Sequence, residues 1–418
     1  MRDFIAKMKE AGLVDTIHEP VSPVYEAPQM AFSSGRMLEF DDVGGHRCVM
    51  NTIVDRESLS VALGIPQNEL VKRLSQCSYA GETVSAGELD FEPANLSKIP
   101  VQKHFPKDAG NYLTTGVVFS AFGGVTNASI HRMLVLDDTH LAARIVEGRH
   151  TYKLMKAAEA AGGRLPVAIV IGAHPAVTFA ACTRVPEGKE MQYAAEICGR
   201  PLPLYTCPNG IAVPDAEIIL YGWFTNELHE EGPFVDISGT YDPVRMQPVI
   251  ELCGMHLKDD FIYHGLVPAG AEHKMLMGAP YEPKIYAAVA GVTNVRDVYL
   301  TKGGAGYFHA VVQIKKMTEG DGKNAIMAAF AAHTSLKHVV VVDEDIDIYN
   351  PEDVEFAIAT RVRADTDVMI ISGVRGSSLD PCRIGDGLNV KAGVDATIPL
   401  GQEDDYIRAE WNNYTKEL

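Results

Sequence analysis

The 418 residues are 46% hydrophobic and 22% charged, the composition of an ordinary soluble globular chain of two or three domains. A formal net charge of −18 excludes non-specific nucleic-acid binding and disfavours an anionic membrane surface, since both need a basic face. Seven scattered cysteines, without a CxxC pair, argue against a disulfide framework or structural zinc and for reduced thiols in a cytoplasmic protein.

The opening "MRDFIAKMKEAG" sets Phe4, Ile5 and Met8 at helical spacing among charges, so it reads as an amphipathic helix and not as a signal peptide. "RMLEFDDV" and "CVMNTIV" read as strands, and "RESLSVALG" and "QNELVKRLSQ" as short helices. Together they predict an N-terminal α/β domain over 1–110, ending in the Pro-, Lys- and Asn-rich stretch 91–114. The stretch 111–305 is strand-rich: "TTGVVFSAF", "RMLVLDD", "HLAARIV", "PVAIVIGA", "AEIILYGWF" and "VRDVYLT", interrupted by the helical "TYKLMKAAEAAG". That pattern predicts a β-barrel or sandwich-like domain carrying a helix or two. The least charged run, "LPVAIVIGAHPAVTFAAC", holds Gly172, His174 and Pro175, so it reads as a buried strand, a turn and a further buried segment, not a membrane span.

Over 306–418 the character changes. "AIMAAFAAHT" is helical and "KHVVVVDEDIDI" is a near-continuous apolar strand with an acidic end. "NPEDVEFAIATRV" is a helix with Asn350 as N-cap and Pro351 at its first position, and "DVMIISG" is the next strand. Strand, helix, strand predicts a βαβ unit and a parallel sheet, hence a C-terminal α/β domain. "QEDDYIRAEWNNYTK" closes the chain as a terminal helix whose Tyr406 and Trp411 suit docking on its own domain or on another subunit. The fold class is α/β, more fully a multidomain α+β arrangement.

Several chemical motifs are missing. "EGDGKNA" has the lysine of a P-loop without its spacing, "KGGAGYF" lacks the full dinucleotide fingerprint, and neither HExxH nor GxSxG occurs. What stands out is "TNASIHR", which crowds an amide, a hydroxyl, an imidazole and a guanidinium between two glycines and an apolar strand. Asn127, His150 in "EGRH" and Glu231 in "EEGPF" offer an amide oxygen, an imidazole nitrogen and a carboxylate oxygen. That donor set suits Mn²⁺ or Mg²⁺ better than a thiolate-preferring metal. Alone, each has a plainer reading: His150 as a helix cap or surface residue, "EGPF" as a turn.

Taken in order, "TNASIHR", "EGRH", "VPEG" at 185–188, "EEGPF" and "KAGVDAT" at 391–397 resemble the UbiD family of decarboxylases over about residues 100–400. The resemblance implies a prenylated FMN cofactor, used to remove CO₂ from aromatic, heteroaromatic or α,β-unsaturated acids without net oxidation. It implies a central split β-barrel for the flavin, whose phosphate is held through Mn²⁺ (or Mg²⁺) with K⁺ nearby. Matching the motifs residue by residue makes Asn127, His150 and Glu231 the metal ligands. Lys391 meets the phosphate, and Ser129, Ile130 and Arg149 lie along the flavin with His150. Arg132 becomes a catalytic cation, suited by its planar fork to orient a carboxylate, while His131 points away and is structural. In "VPAGAEHKMLMGAPYEP" the proton donor falls on His273, with Glu272 beside it as the alternative. A histidine there resembles members that take heteroaromatic acids, and its reference pKa of about 6.5 suits proton exchange. Tyr281 either faces the substrate or packs. The resemblance further implies a flavin prenyltransferase to supply the cofactor and a homodimer or hexamer, with the C-terminal domain in the assembly. The alternatives are a split-barrel FMN-binding redox protein and an inactive paralogue.

Overall fold

Alternation along buried strands decides how the first part of the molecule is built. In the strand Pro166–Ile171, Val167, Ile169 and Ile171 enter one hydrophobic cluster while Ala168 and Val170 enter another. Val118 and Val117 divide in the same way, as do Leu220 and Ile219. A sheet buried on both faces therefore reads as a continuous apolar run although its period is two. The computed structural model describes residues 1–385 and 387–409. They fall into two units, Met1–Tyr281 and a second that begins at Glu282.

The centre of the first unit is an antiparallel sheet curled into a split β-barrel, with nine strands among the described residues. Its order is Tyr112–Leu113, Met133–Val135, His140–Ala143, Arg245–Leu257, Ile218–Glu231, Pro166–Ile171, Val117–Phe122, Val125–Ile130, with Glu92–Pro93 beside Arg245–Leu257. The last pair is a hairpin closed by Gly123 and Gly124, with φ of 61° and 83° and Phe122 opposite Val125. Two left-handed residues in a two-residue loop match the twist of the strands, and glycine takes that conformation without penalty. The hairpin sets the register of "TNASI" and so aims Asn127 and Ser129 to one side of their strand. Helix His150–Ala160 packs on that strand, as do helices Pro175–Cys182 and Glu190–Cys198. The run that reads as strand, turn and buried segment is thus a strand followed by a buried helix, whose first position is Pro175 and whose cap is the His174 ring.

A smaller sheet in the same unit carries Val14–Ile17, Met37–Val43, His46–Met50 and Ile262–Gly265, so residues far along the chain return to complete the N-terminal sheet. Helix Arg2–Glu10 buries Phe4, Ile5 and Met8 as its spacing predicts, at about 2 kcal/mol per side chain removed from water.

The second unit holds a five-stranded sheet in the order Asn294–Leu300, His309–Lys315, His338–Val342, Leu388–Ala396, Val368–Arg375. Its centre is parallel, but not through the strand–helix–strand unit that the sequence suggests. Helix Pro351–Arg361 leads to Val368–Arg375, which is an edge strand antiparallel to Leu388–Ala396. Leu388–Ala396 inserts between it and His338–Val342. The parallel crossover is instead helix Asp321–Ala332, which joins His309–Lys315 to His338–Val342. Asn350 does cap Pro351–Arg361, accepting the Glu352 N–H at 3.1 Å. Over residues 402–409 the expected terminal helix is instead a 3-10 turn, Glu403–Tyr406, followed by non-helical chain, and the rest of that stretch lies outside the described residues. Trp411 lies outside the described residues. Among the described residues no helix is long and apolar enough to cross a membrane.

Candidate active site

The strand Val125–Ile130 delivers two polar groups to one side, and its neighbours complete a cluster there. Asn127 is buried, and its Nδ2 donates to Ser129 Oγ at 3.0 Å and Thr151 Oγ1 at 3.1 Å. His131 joins the same cluster and does not point away from it. Its Nδ1 lies 3.1 Å from the Arg144 carbonyl, which can only accept, so the proton sits on Nδ1. Nε2 then accepts from the Ser129 hydroxyl at 2.9 Å or the Thr151 hydroxyl at 3.1 Å. Burial holds His131 neutral, its pKa lowered to about 4. Among the described residues no hydrogen bond reaches Asn127 Oδ1, and an amide oxygen is what a hard cation takes. His150, next to Thr151, opens its helix with an exposed ring that makes no hydrogen bond among the described residues.

Arg132, just beyond the strand, sits in a cage of carboxylates. Nε and Nη2 reach the two oxygens of Glu231 at 2.9 and 3.0 Å, Nη1 reaches Asp236 at 2.9 Å, and Nη2 also reaches Asp242 at 2.9 Å. Arg245 binds Asp242 from the other side, and Arg144 stands 3.9 Å from it. The Arg132 side chain is 9% exposed and that of Glu231 0%. Burial opposes the charge on Arg132, but Glu231, Asp236 and Asp242 outweigh it and push its pKa above the ordinary value. Burial likewise opposes the charge on Asp242, where Arg245 and Arg132 prevail and hold the carboxyl below its usual range. The Phe234 ring lies 5.0 Å from the guanidinium carbon, and the buried Tyr112 hydroxyl donates to Glu231 at 3.2 Å. Four of the five guanidinium N–H groups are taken, so Arg132 has one left to offer a ligand, not the open fork expected from its shape.

The two candidate proton donors face different surroundings. Glu272 is buried among partners from the smaller sheet: the Thr52 N–H at 3.1 Å, the Thr52 hydroxyl, and His264 Nε2 at 3.0 Å. His273 accepts the Ala269 N–H on Nδ1 at 3.0 Å, so a neutral ring carries its proton on Nε2. Ala269 adopts φ 59°, a left-handed conformation that a non-glycine residue takes at a cost of about 1 kcal/mol or more. Burial lowers the His273 pKa, Asp236 works against that, and Arg132 reinforces it, so the imidazole shares the electrostatic field of the Arg132 cage.

Of the other residues singled out in the sequence, Ile130 packs partly buried against the core, and Arg149 is exposed at the cap position of its helix. Lys391 belongs to the second unit, where its ammonium donates to the Thr334 carbonyl at 2.7 Å and lies over the Phe330 ring. Burial lowers its pKa to about 8. Asn127 and Ser129 meet directly, as do Arg132 and Glu231; Asn127, His150 and Glu231 make no hydrogen bond to one another. Among the described residues no three His, Cys, Asp or Glu side chains are gathered for a metal. An amide oxygen, an imidazole and a carboxylate have the chemistry that a hard divalent ion takes, and Glu231 is engaged with Arg132 through both oxygens. Thr151, Asp236, Asp242 and Tyr112 are the site residues that the sequence reading missed. Two acids flanking the "ISGT" turn, in "VDISGTYDP", were the available signal for Asp236 and Asp242.

The domain models of 3-octaprenyl-4-hydroxybenzoate carboxy-lyase, UbiD, match this chain in three consecutive pieces. The N-terminal model covers residues 5–78, the Rift-related central model 82–271 and the C-terminal model 274–396. The anhydromevalonate phosphate decarboxylase of Methanosarcina mazei is 52% identical over 98% of this chain and 98% of its own length. Among solved structures, the UbiD-class enzyme HmfF from Pelotomaculum thermopropionicum in complex with FMN is 32% identical with a TM-score of 0.93, covering 100% of this chain and 98% of that one. An evolved dimeric form of HmfF in complex with prFMN is 31% identical with a TM-score of 0.90, covering 99% and 97%.

Proposed function

The chain belongs to the UbiD family of prenylated-FMN-dependent decarboxylases, and on that premise we propose that its substrate is a phosphorylated α,β-unsaturated acid of the anhydromevalonate phosphate kind. It is a non-oxidative carboxy-lyase that uses prenylated FMN on a carboxylic acid. The observation that carries the narrower reading is 52% identity, along essentially the full length of both chains, to an enzyme of that name. The histidine at position 273 favours heteroaromatic acids as a second reading.

Losing CO₂ from an unsaturated carbon leaves an electron pair with nowhere to go, and bound prenylated FMN supplies the sink. The protein must hold the cofactor, orient the acid, keep out water and return a proton. We assign Asn127 Oδ1, His150 and one oxygen of Glu231 to a divalent ion, Mn²⁺ or Mg²⁺, at the flavin phosphate. The free donor atoms of Asn127 and His150 support this, because a buried phosphate dianion needs compensating charge. K⁺ is proposed to add to that charge. Ser129, Ile130 and Arg149 are assigned to the flavin itself. Arg132 gives its one remaining N–H to the substrate carboxylate and polarises it. His273 Nε2 carries the proton to the carbon that has lost CO₂. The field it shares with Arg132 and Asp236 supports this role, as does the engagement of Glu272 elsewhere. A flavin prenyltransferase must make the cofactor available, and assembly into a homodimer or hexamer completes the proposal.

The test is to produce the protein with a flavin prenyltransferase, weigh the flavin it releases on denaturation, and measure CO₂ from a panel of acids. The panel holds anhydromevalonate phosphate, its dephosphorylated form, and furan and pyrrole carboxylates. Turnover confined to the phosphorylated acid supports the proposal, and turnover confined to the heteroaromatic acids supports the second reading.

A further inference from the structure

A phosphorylated unsaturated acid has two anionic ends, and only one of them can meet the Arg132 cage. That cage sets Glu231, Asp236 and Asp242 around the guanidinium, so a phosphate dianion brought there would meet carboxylates first. The phosphate must find its cation elsewhere, within the reach of the molecule.

Helix Ala271–Gly278 turns Glu272 and Leu276 into the core. His273 and Met277 lie beside that buried stripe, about 100° round the helix, and Tyr281 sits in the turn after the helix end, its N–H on the Gly278 carbonyl at 2.8 Å. From His273 to the helix end at Gly278 the rise is roughly 7.5 Å, and Tyr281 lies three residues beyond that end. Over the Tyr281 ring, 5.6 Å from its centroid, stands the Arg184 guanidinium. Arg184 is exposed and makes no ion pair among the described residues, in a chain with 55 acidic and 37 basic side chains.

The loop that carries Arg184 also touches the Asn127 strand. Gly188, with φ 71°, comes so near that a Cβ there would lie 2.9 Å from Thr126 Oγ1, which only glycine avoids. Two residues on, the buried Glu190 carboxylate rests on the Ala128 backbone N–H. The loop is thus fastened to the strand between Asn127 and Ser129 and leans across to the end of the His273 helix.

We propose that Arg184, set over the Tyr281 ring, forms the subsite for the phosphate ester and selects phosphorylated acids. Dimensions favour it. Carboxyl carbon to phosphorus in the six-carbon acid ester spans about 7 Å, and an ion-pair contact adds about 4 Å, enough to reach past the roughly 7.5 Å from His273 to the end of its helix. A guanidinium set over an aromatic face is partly held in place for a bidentate grip on phosphate. This rests on the phosphorylated-acid reading above.

The test compares kcat/KM for anhydromevalonate phosphate and for its dephosphorylated acid in the holoenzyme and in R184Q and R184K, with inorganic phosphate as inhibitor. Wild type favours the phosphorylated acid. R184Q lowers that preference at least tenfold, mainly through KM, and weakens inhibition by phosphate; R184K keeps most of the preference. Wild-type turnover of the phosphorylated acid with an unchanged KM in R184Q would overturn this subsite alone. Wild-type enzyme that ignored the phosphorylated acid while decarboxylating another would overturn both readings.

Discussion

Arg132 and Glu231 hold each other by both carboxylate oxygens, Nε to Oε1 at 2.9 Å and Nη2 to Oε2 at 3.0 Å. Glu231 is also the carboxylate assigned to the divalent ion, so the ion and the guanidinium compete for it. Arg132→Gln in flavin-free protein should therefore bind Mn²⁺ more tightly, by roughly tenfold for one charge-assisted bond released. Glu231→Gln should weaken Mn²⁺ binding and cofactor retention together. Titration calorimetry on the flavin-free variants checks both; weaker Mn²⁺ binding by Arg132→Gln would contradict the competition.

His273 and Glu272 are adjacent in sequence but should fail in different ways. His273→Asn removes the proton carrier and should cost about 10²–10⁴-fold in turnover, with little change in melting temperature. Glu272→Gln disturbs a buried cluster with Thr52 and His264, which should cost about 1–3 kcal/mol of stability. Turnover and thermal melts on the same preparations separate the two. A Glu272→Gln enzyme of normal stability and no activity would move the proton to Glu272.

Acid should destabilise the fold through histidines that are buried neutral. Burial, only partly offset by the Leu266 backbone, lowers the His104 pKa to about 3, and burial lowers that of His131 to about 4. Unfolded, each titrates near 6.5. Between about pH 6.5 and 4 the unfolded chain binds protons that the folded chain does not, so stability falls as pH falls. The slope is at most about 1.4 kcal/mol per pH unit for each histidine. Melting temperature should be flat from pH 8 to 7 and drop toward pH 5. Neither His104 nitrogen makes a well-formed hydrogen bond among the described residues, the Leu266 backbone being only a nearby dipole, and the ring packs edge-on to Phe234. His104→Phe should thus keep the neutral-pH melting temperature and flatten the drop.

Much of this was legible in the sequence because it is local. Phe4, Ile5 and Met8 announce their helix, and Asn350 with Pro351 announces another. "TNASIHR" concentrates polar groups in an apolar surrounding, and Asn127, Ser129 and Arg132 all turn out to be engaged in polar clusters. What was hidden depends on pairing over distance. Asp236 and Asp242 look like turn residues until Arg132 arrives from 104 and 110 positions away. The insertion of Leu388–Ala396 between two strands that a helix seemed to join is set by sheet packing, which no local pattern records. His131 was expected to be structural and to point away, yet two-residue alternation puts it on the side of Asn127 and Ser129, where its hydrogen bonds place it.

The most direct test follows the carboxyl carbon. Enzyme loaded with prenylated FMN is given anhydromevalonate phosphate labelled at its carboxyl group, and labelled CO₂ is counted against the phosphorylated product. The account predicts one CO₂ for each five-carbon alkenyl phosphate, with no redox partner consumed and with Arg132→Gln and His273→Asn silent. Release of label from furan or pyrrole carboxylates but none from the phosphorylated acid would contradict it.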